Sequence, residues 1–181
     1  QAHHHHPDAT QPALMLVEHY QRQGEVQRAL DLAEAFDATH PRNPPVLLTL
    51  ARVQLSAGKE QEAMSTLRRL VAIAPESPEA HTLLAMVQIK QQQHEAARSS
   101  LEQVIKLQPD SPAARVMLGQ LDIAARDFET ALATAEDLRK SHPEAAHGDE
   151  LAGDVFLAKT EYKQAADSYA LAYDKASSAQ L

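Results

Sequence analysis

The sequence predicts an all-α fold, a solenoid of five 34-residue helix–turn–helix units. Three observations predict it. Alanine recurs every 34 residues, at Ala29, Ala63, Ala97, Ala131 and Ala165. Proline recurs at the same interval, at Pro7, Pro41, Pro75, Pro109 and Pro143. Between the ladders, apolar residues fall on one side of a 3.6-residue helix: Leu83, Leu84, Val87 and Ile89, then Ala97, Leu101, Val104 and Ile105. A unit this small cannot bury its own apolar face, so it must lean on its copies.

The composition agrees. The chain has 181 residues, 44% apolar but only 4% aromatic, so the core is aliphatic and alanine-rich, which favours helix. The net charge of −8 argues against a general nucleic-acid binder, which needs a cationic face. With no cysteine there is no disulfide, cysteine metal site or thiol nucleophile. No apolar run approaches the roughly 20 residues that span a bilayer, and no signal peptide is visible.

In chain order, residues 1–9 carry the run His3–His6, which is either a tag remnant or native sequence continuing a preceding unit; no metal role is assigned to it. The five units are 10–43, 44–77, 78–111, 112–145 and 146–179, and residues 180–181 stand where another would begin. The expectation is a segment of a longer array. Each unit opens with a first helix, as at Pro44-Pro45, where proline is tolerated. Gly24 and Gly58 mark the turn between helices, and Gln92, Arg126 and Thr160 take that place in the last three units. The ladder alanine is small because two helices cross there. The ladder proline ends each second helix. Glu76-Ser77, Asp110-Ser111 and Glu144 follow it and suit the start of the next helix.

This pattern resembles the tetratricopeptide repeat. The carrying residues are the large residues Leu16, Leu50, Leu84 and Leu118 (Ala152 in the fifth place), the small residues Val17, Ala51, Ala85, Gly119 and Gly153, the turn positions and the two ladders. The family's tryptophan-like position holds Ala13, Leu47, His81, Arg115 and Asp149. The resemblance implies a right-handed superhelix whose first helices line a concave groove for a protein or peptide. Its groove positions fall on Leu48, Arg52 and Leu55, then Met86, Ile89 and Lys90, then Val116, Gln120 and Ile123, then Asp154 and Leu157, preceded by Leu14, Glu18, Gln21 and Arg22. Thr82 and Glu150 complete the set. The spacing i, i+4, i+7 puts each group on one helix face, and the apolar members would form a stripe suited to an extended or helical peptide. The lysine and asparagine clamp of the chaperone-binding members is missing. Arg22, Arg52 and Lys90 give way to Glu150 and Asp154, so the last repeat is expected to favour a basic segment.

A narrower likeness lies in residues 151–181. Gly153-Asp154, Tyr162, Ala165-Ala166, Tyr169 and Ser177-Ser178 with Leu181 resemble repeats of bacterial exosortase-associated lipoproteins of exopolysaccharide systems. That implies an extracytoplasmic array anchored outside this segment; a cytoplasmic array is the alternative.

No motif of catalysis is present: no phosphate loop, no HExxH, no Gly-x-Ser-x-Gly. The pair Asp149-Glu150 reads as solvated charge. His81 and His94 read as structural, each lacking the further groups a site requires. Tyr162 and Tyr169 match positions where the family packs aromatics and are expected in the core. No cofactor or metal is called for. The reading is a non-catalytic binding scaffold; the alternatives are self-assembly through repeat ends or the convex face, and a carbohydrate-interacting module, against which the lack of aromatics in the groove set counts. The unit 78–111 is expected to be the most enclosed and the centre of binding.

Overall fold

The computed structural model describes residues 10–178. Pro7, His3–His6 and residues 179–181 lie outside the described residues. Within the described residues ten helices follow one another: α1 (Thr10–Arg22), α2 (Val26–Thr39), α3 (Pro44–Ser56), α4 (Glu60–Ile73), α5 (Pro78–Lys90), α6 (His94–Leu107), α7 (Pro112–Ala124), α8 (Phe128–Ser141), α9 (His147–Ala158) and α10 (Tyr162–Ser178). The even-numbered helices start at residues 26, 60, 94, 128 and 162, the 34-residue period without a slip. The odd-numbered helices keep that period until α9, which starts one residue late.

Local chemistry explains both the regularity and the slip. Asn43, Ser77 and Ser111 cap α3, α5 and α7. Their side chains accept from the backbone N–H of Val46, Ala80 and Ala114 at 3.4, 3.3 and 3.5 Å. Pro44, Pro78 and Pro112 then occupy the first helical position, where no N–H is needed. The equivalent residue before α9 is Ala145, which has no oxygen to offer. Helix α9 begins after Ala146 without a side-chain cap, so Glu144 does not serve the start expected of it. The residue before each ladder proline closes the preceding helix. His40, Ala74, Gln108 and His142 donate their N–H to Phe36, Leu70, Val104 and Leu138 at 2.7–2.9 Å, and proline then ends the ladder of bonds.

The five turns inside the repeats share one geometry. Gly24 and Gly58 have φ of +75° and +72°; Gln92, Arg126 and Thr160 take φ of +58°, +62° and +62°. In each, the left-handed residue donates to the carbonyl three back and the next residue to the carbonyl five back, as Thr160 to Leu157 and Glu161 to Phe156. This is the Schellman motif, which glycine adopts without strain and other residues do not.

The chain divides into two compact units at Gln93–His94. The division falls inside the unit 78–111, between its two helices. Its first helix sends Leu84 and Val87 into a core of its own unit. In the first unit, Leu47, Ala51, Met64, Leu67, Leu70, Ala80, Leu84 and Val87 form one apolar cluster. Val17, Ala29, Leu30, Ala33, Leu50 and Val53 form another. In the second unit, Ala135, Leu138, Leu151 and Ala152 pack together, with Val116, Ile123, Leu132 and Phe156 against them. All five ladder alanines are buried, and so are Val17, Ala51, Ala85, Gly119 and Gly153 of the small-residue ladder. Polar ties cross between helices as well. Thr66 donates to Gln54 at 2.8 Å inside the first unit. Arg69 grips Asp37 with two bonds of 2.7 and 2.9 Å and donates to the Pro41 carbonyl. In the second unit Arg98 pairs with the buried Asp122, and that hydrogen bond raises the guanidinium above its ordinary pKa.

Candidate functional site

In the first unit α1 and α3 lie side by side. Between them is a cleft of about 320 Å³ lined by Leu14, Met15, Glu18, Leu48, Thr49 and Arg52, with Pro44, Pro45 and Leu70 contributing apolar wall. Four of these, Leu14, Glu18, Leu48 and Arg52, are groove positions read from the repeat register. Glu18 and Arg52 also line an adjoining open depression with Gln21 and Arg22. The cleft therefore has an apolar wall and a polar edge. Met15 is not among the groove positions, yet it is 60% exposed. Its signal lies in its place beside Leu14, one residue round the helix, facing the paired prolines that open α3.

The remaining groove positions behave unequally. Leu48 and Leu55 are half-buried and pack on the first unit's core, as Val116 and Ile123 do in the second. Ile89 is half-buried, and Gln120 is exposed. Met86 and Leu157 present apolar surface, at 50% and 49% exposure. Two cations of the set are already engaged: Arg52 pairs with Glu79 and Lys90 with Glu60. Asp154 is half-buried and accepts from the Tyr169 hydroxyl at 2.6 Å.

Tyr169 is a packing residue, as expected. A Cβ at Gly153 would stand 2.6 Å from the Tyr169 ring, so α9 and α10 approach this closely only because residue 153 is glycine. Burial, and then the bond to Asp154, push the phenol up to about 12. Gly119 plays the same part between α7 and α9: a Cβ there would lie 2.5 Å from Leu151. Tyr162, by contrast, is 67% exposed and is no core residue. It is the first residue of α10, and a side chain there points back past the helix start.

Asp149 corrects the sequence reading more sharply. It is 2% exposed, not solvated. Its Oδ1 accepts from Arg139 Nε at 2.7 Å, and its Oδ2 faces Lys175 Nζ at 2.6 Å. Gly148 allows this, because a Cβ there would meet the Ala135 carbonyl and the Arg139 amide at 2.7 and 2.8 Å. The carboxylate ties α8, α9 and α10 together at the position where the family often has tryptophan. Two other residues at that position also do structural work. His81 Nε2 lies 2.9 Å from the Pro75 carbonyl, and Arg115 donates to the Pro109 carbonyl at 2.8 Å. Each holds the ladder proline six residues back. Among the described residues no group of His, Asp and Glu is placed to hold a metal ion, and no helix is long and apolar enough to cross a membrane.

Helix pairs repeating at 34 residues, with crossings of small residues and a cleft between first helices, define a helical-repeat scaffold. The chain belongs to the tetratricopeptide repeat family, whose profile matches residues 21–87 and again 88–153. No curated protein sequence matches the chain. Several solved structures share the fold. MamA from Desulfovibrio magneticus RS-1, from its residue 41 to its end, aligns with a TM-score of 0.80 at 19% identity, over 94% of this chain and 97% of that one. YrrB, described as a TPR protein with an unusual peptide-binding site, gives a TM-score of 0.71 at 18% identity, over 91% and 84%. A thermophilic TPR protein from Thermus thermophilus, TTC0263, gives 0.69 at 21% identity, over 92% and 91%. At these identities the likeness shows the fold: an all-α solenoid of tetratricopeptide repeats.

Proposed function

We propose that the chain is a non-catalytic scaffold that binds a peptide or protein segment along its first helices. The observation that carries this is the α1–α3 cleft, whose lining includes four positions named independently from the repeat register. Its volume suits one large apolar side chain, and Glu18 and Arg22 at the edge suit the polar backbone and neighbours of an extended segment. The similarity to YrrB supports the same reading, since that protein is described as having a peptide-binding site. The test is selection of peptides from a random displayed library on the wild-type chain. Binding should fall at least tenfold in Met15→Glu, with helicity unchanged. Peptides that bind Met15→Glu as well as wild type would place the site elsewhere.

A second reading, self-association, has its own observation. Five of the seven exposed large apolar side chains among the described residues lie on α1 and α10: Met15, Leu16, Tyr162, Leu171 and Tyr173. Light scattering across concentration tests it, with Leu16→Glu and Tyr173→Glu as the variants that should shift the mass toward one chain. The exopolysaccharide setting rests on the likeness of residues 151–181 alone. Gly153, Asp154 and Tyr169 pack on one another, so helix packing suffices to account for those residues. Fractionation of cells carrying the intact gene tests that setting.

A further inference from the structure

We propose that the first-helix face of the second unit, formed by α7 and α9, selects a basic amphipathic segment; this rests on the scaffold reading above. Charge is the discriminating feature. In the first unit two of the three groove cations, Arg52 and Lys90, are neutralised by Glu79 and Glu60 of the same unit, and the third, Arg22, shares the cleft edge with Glu18. In the second unit the groove charges are the carboxylates Glu150 and Asp154, and no cation of the described residues lies within ion-pair distance of either. Arg139 and Lys175 face Asp149 instead, Lys159 pairs with Glu161, and Arg115 donates to the Pro109 carbonyl. Residues 94–181 hold fifteen acidic against nine basic side chains, so this unit carries a net negative charge.

The face also has apolar surface to dock on. Glu150, Asp154 and Leu157 follow one another at i, i+4 and i+7 on α9, and Leu157 is half exposed. Gly119 lets α7 approach Leu151 of α9 closely, and half-buried Val116 and Ile123 of α7 pack against the cluster that holds Leu151. Tyr169 fixes Asp154 in place by its hydroxyl, so one carboxylate is pre-positioned while Glu150 stays exposed at the rim. The two carboxylates stand one turn apart, about 6 Å along the axis, which is the spacing of cations at i and i+4 on a partner helix. A segment with lysine or arginine at that spacing and leucine between meets both features.

The experiment titrates the full chain with two labelled amphipathic helices about four turns long, one of leucine and lysine, one of leucine and glutamate. The lysine peptide should bind at least about fivefold more tightly, as expected of two partly screened ion pairs. Glu150→Lys should abolish the difference. Glu129→Lys, the same charge change on the exposed face of α8, should leave it intact. Equal affinities that fall in Leu157→Asp would overturn the charge selection and leave the scaffold reading standing. Equal losses in Glu150→Lys and Glu129→Lys would overturn it too, as attraction by net charge alone. No binding of either peptide, or binding indifferent to Leu157→Asp, would remove the second unit's face as a docking surface and overturn the proposal, while the α1–α3 cleft retains its separate test.

Discussion

Thr160→Gly should stabilise the protein, and the size of the gain follows from the backbone. Thr160 sits at φ +62°, the left-handed region, in the same Schellman turn that Gly24 and Gly58 occupy at +75° and +72°. An L-residue there costs about 1–2 kcal/mol, and a β-branched one stands at the upper end. Glycine returns about 0.5–1 kcal/mol of that through the greater freedom of the unfolded chain. The threonine side chain loses little, since it is exposed and its hydroxyl bonds only the adjacent Lys159 carbonyl at 2.6 Å. The net gain is about 1 kcal/mol, or a rise in Tm of about 2–4 °C for a chain of this length. Thermal unfolding followed by far-UV circular dichroism measures it. Gly58→Ala is the mirror control: no atom lies within 4 Å of a Cβ placed there, so its cost is backbone strain alone. A fall in Tm for Thr160→Gly, with Gly58→Ala destabilising as expected, would refute the strain argument.

Three further perturbations test the packing. Gly119→Ala should cost about 1–3 kcal/mol in urea unfolding, because its Cβ would overlap the Leu151 side chain; Leu151→Ala should partly rescue it, and additive losses would speak against the contact. Asp149→Ala should cost about 3 kcal/mol, the low end for a buried pair, since Arg139 and Lys175 still reach solvent; a loss below about 1 kcal/mol would mean a surface-type pair. The Tyr169 phenol is raised from 10.0 to about 12, so the unfolded chain ionises it first and stability falls as pH rises above 10.0. Tyr169→Phe should remove that part of the alkaline decline and the phenolate absorbance that appears near pH 12; an unchanged alkaline titration would contradict the burial of this phenol against α9 and its bond to Asp154.

The repeat is legible because period and position carry it. One residue type every 34 places identifies a crossing, a stop or a turn, and the register alone locates the strained turns at Gln92, Arg126 and Thr160. The caps Ser77 and Ser111 follow from the same reading, whereas the Asn43 cap does not emerge from it and Glu144 caps nothing. What escapes are features set by partners far along the chain. Asp149 looks like half of a solvated acidic pair until α8 and α10 bring Arg139 and Lys175 to it. Arg52 looks like a groove cation until Glu79, 27 residues on, pairs with it. Leu48, Val116 and Ile123 share a helix face with exposed positions, but periodicity gives direction and not depth, and neighbouring helices cover part of each. Tyr162 matches a family packing position yet stands out from the start of α10.

The central claim, that the α1–α3 cleft receives a peptide, is tested most directly by a reporter placed in it. The chain has no cysteine, so Glu18→Cys can be labelled uniquely with an environment-sensitive fluorophore, and Glu129→Cys on α8, outside the cleft lining, serves as the control. Titration with a peptide selected on the wild-type chain should change the emission of the label at residue 18 saturably and leave that at residue 129 unchanged. Saturable binding that leaves the cleft label silent would contradict the account.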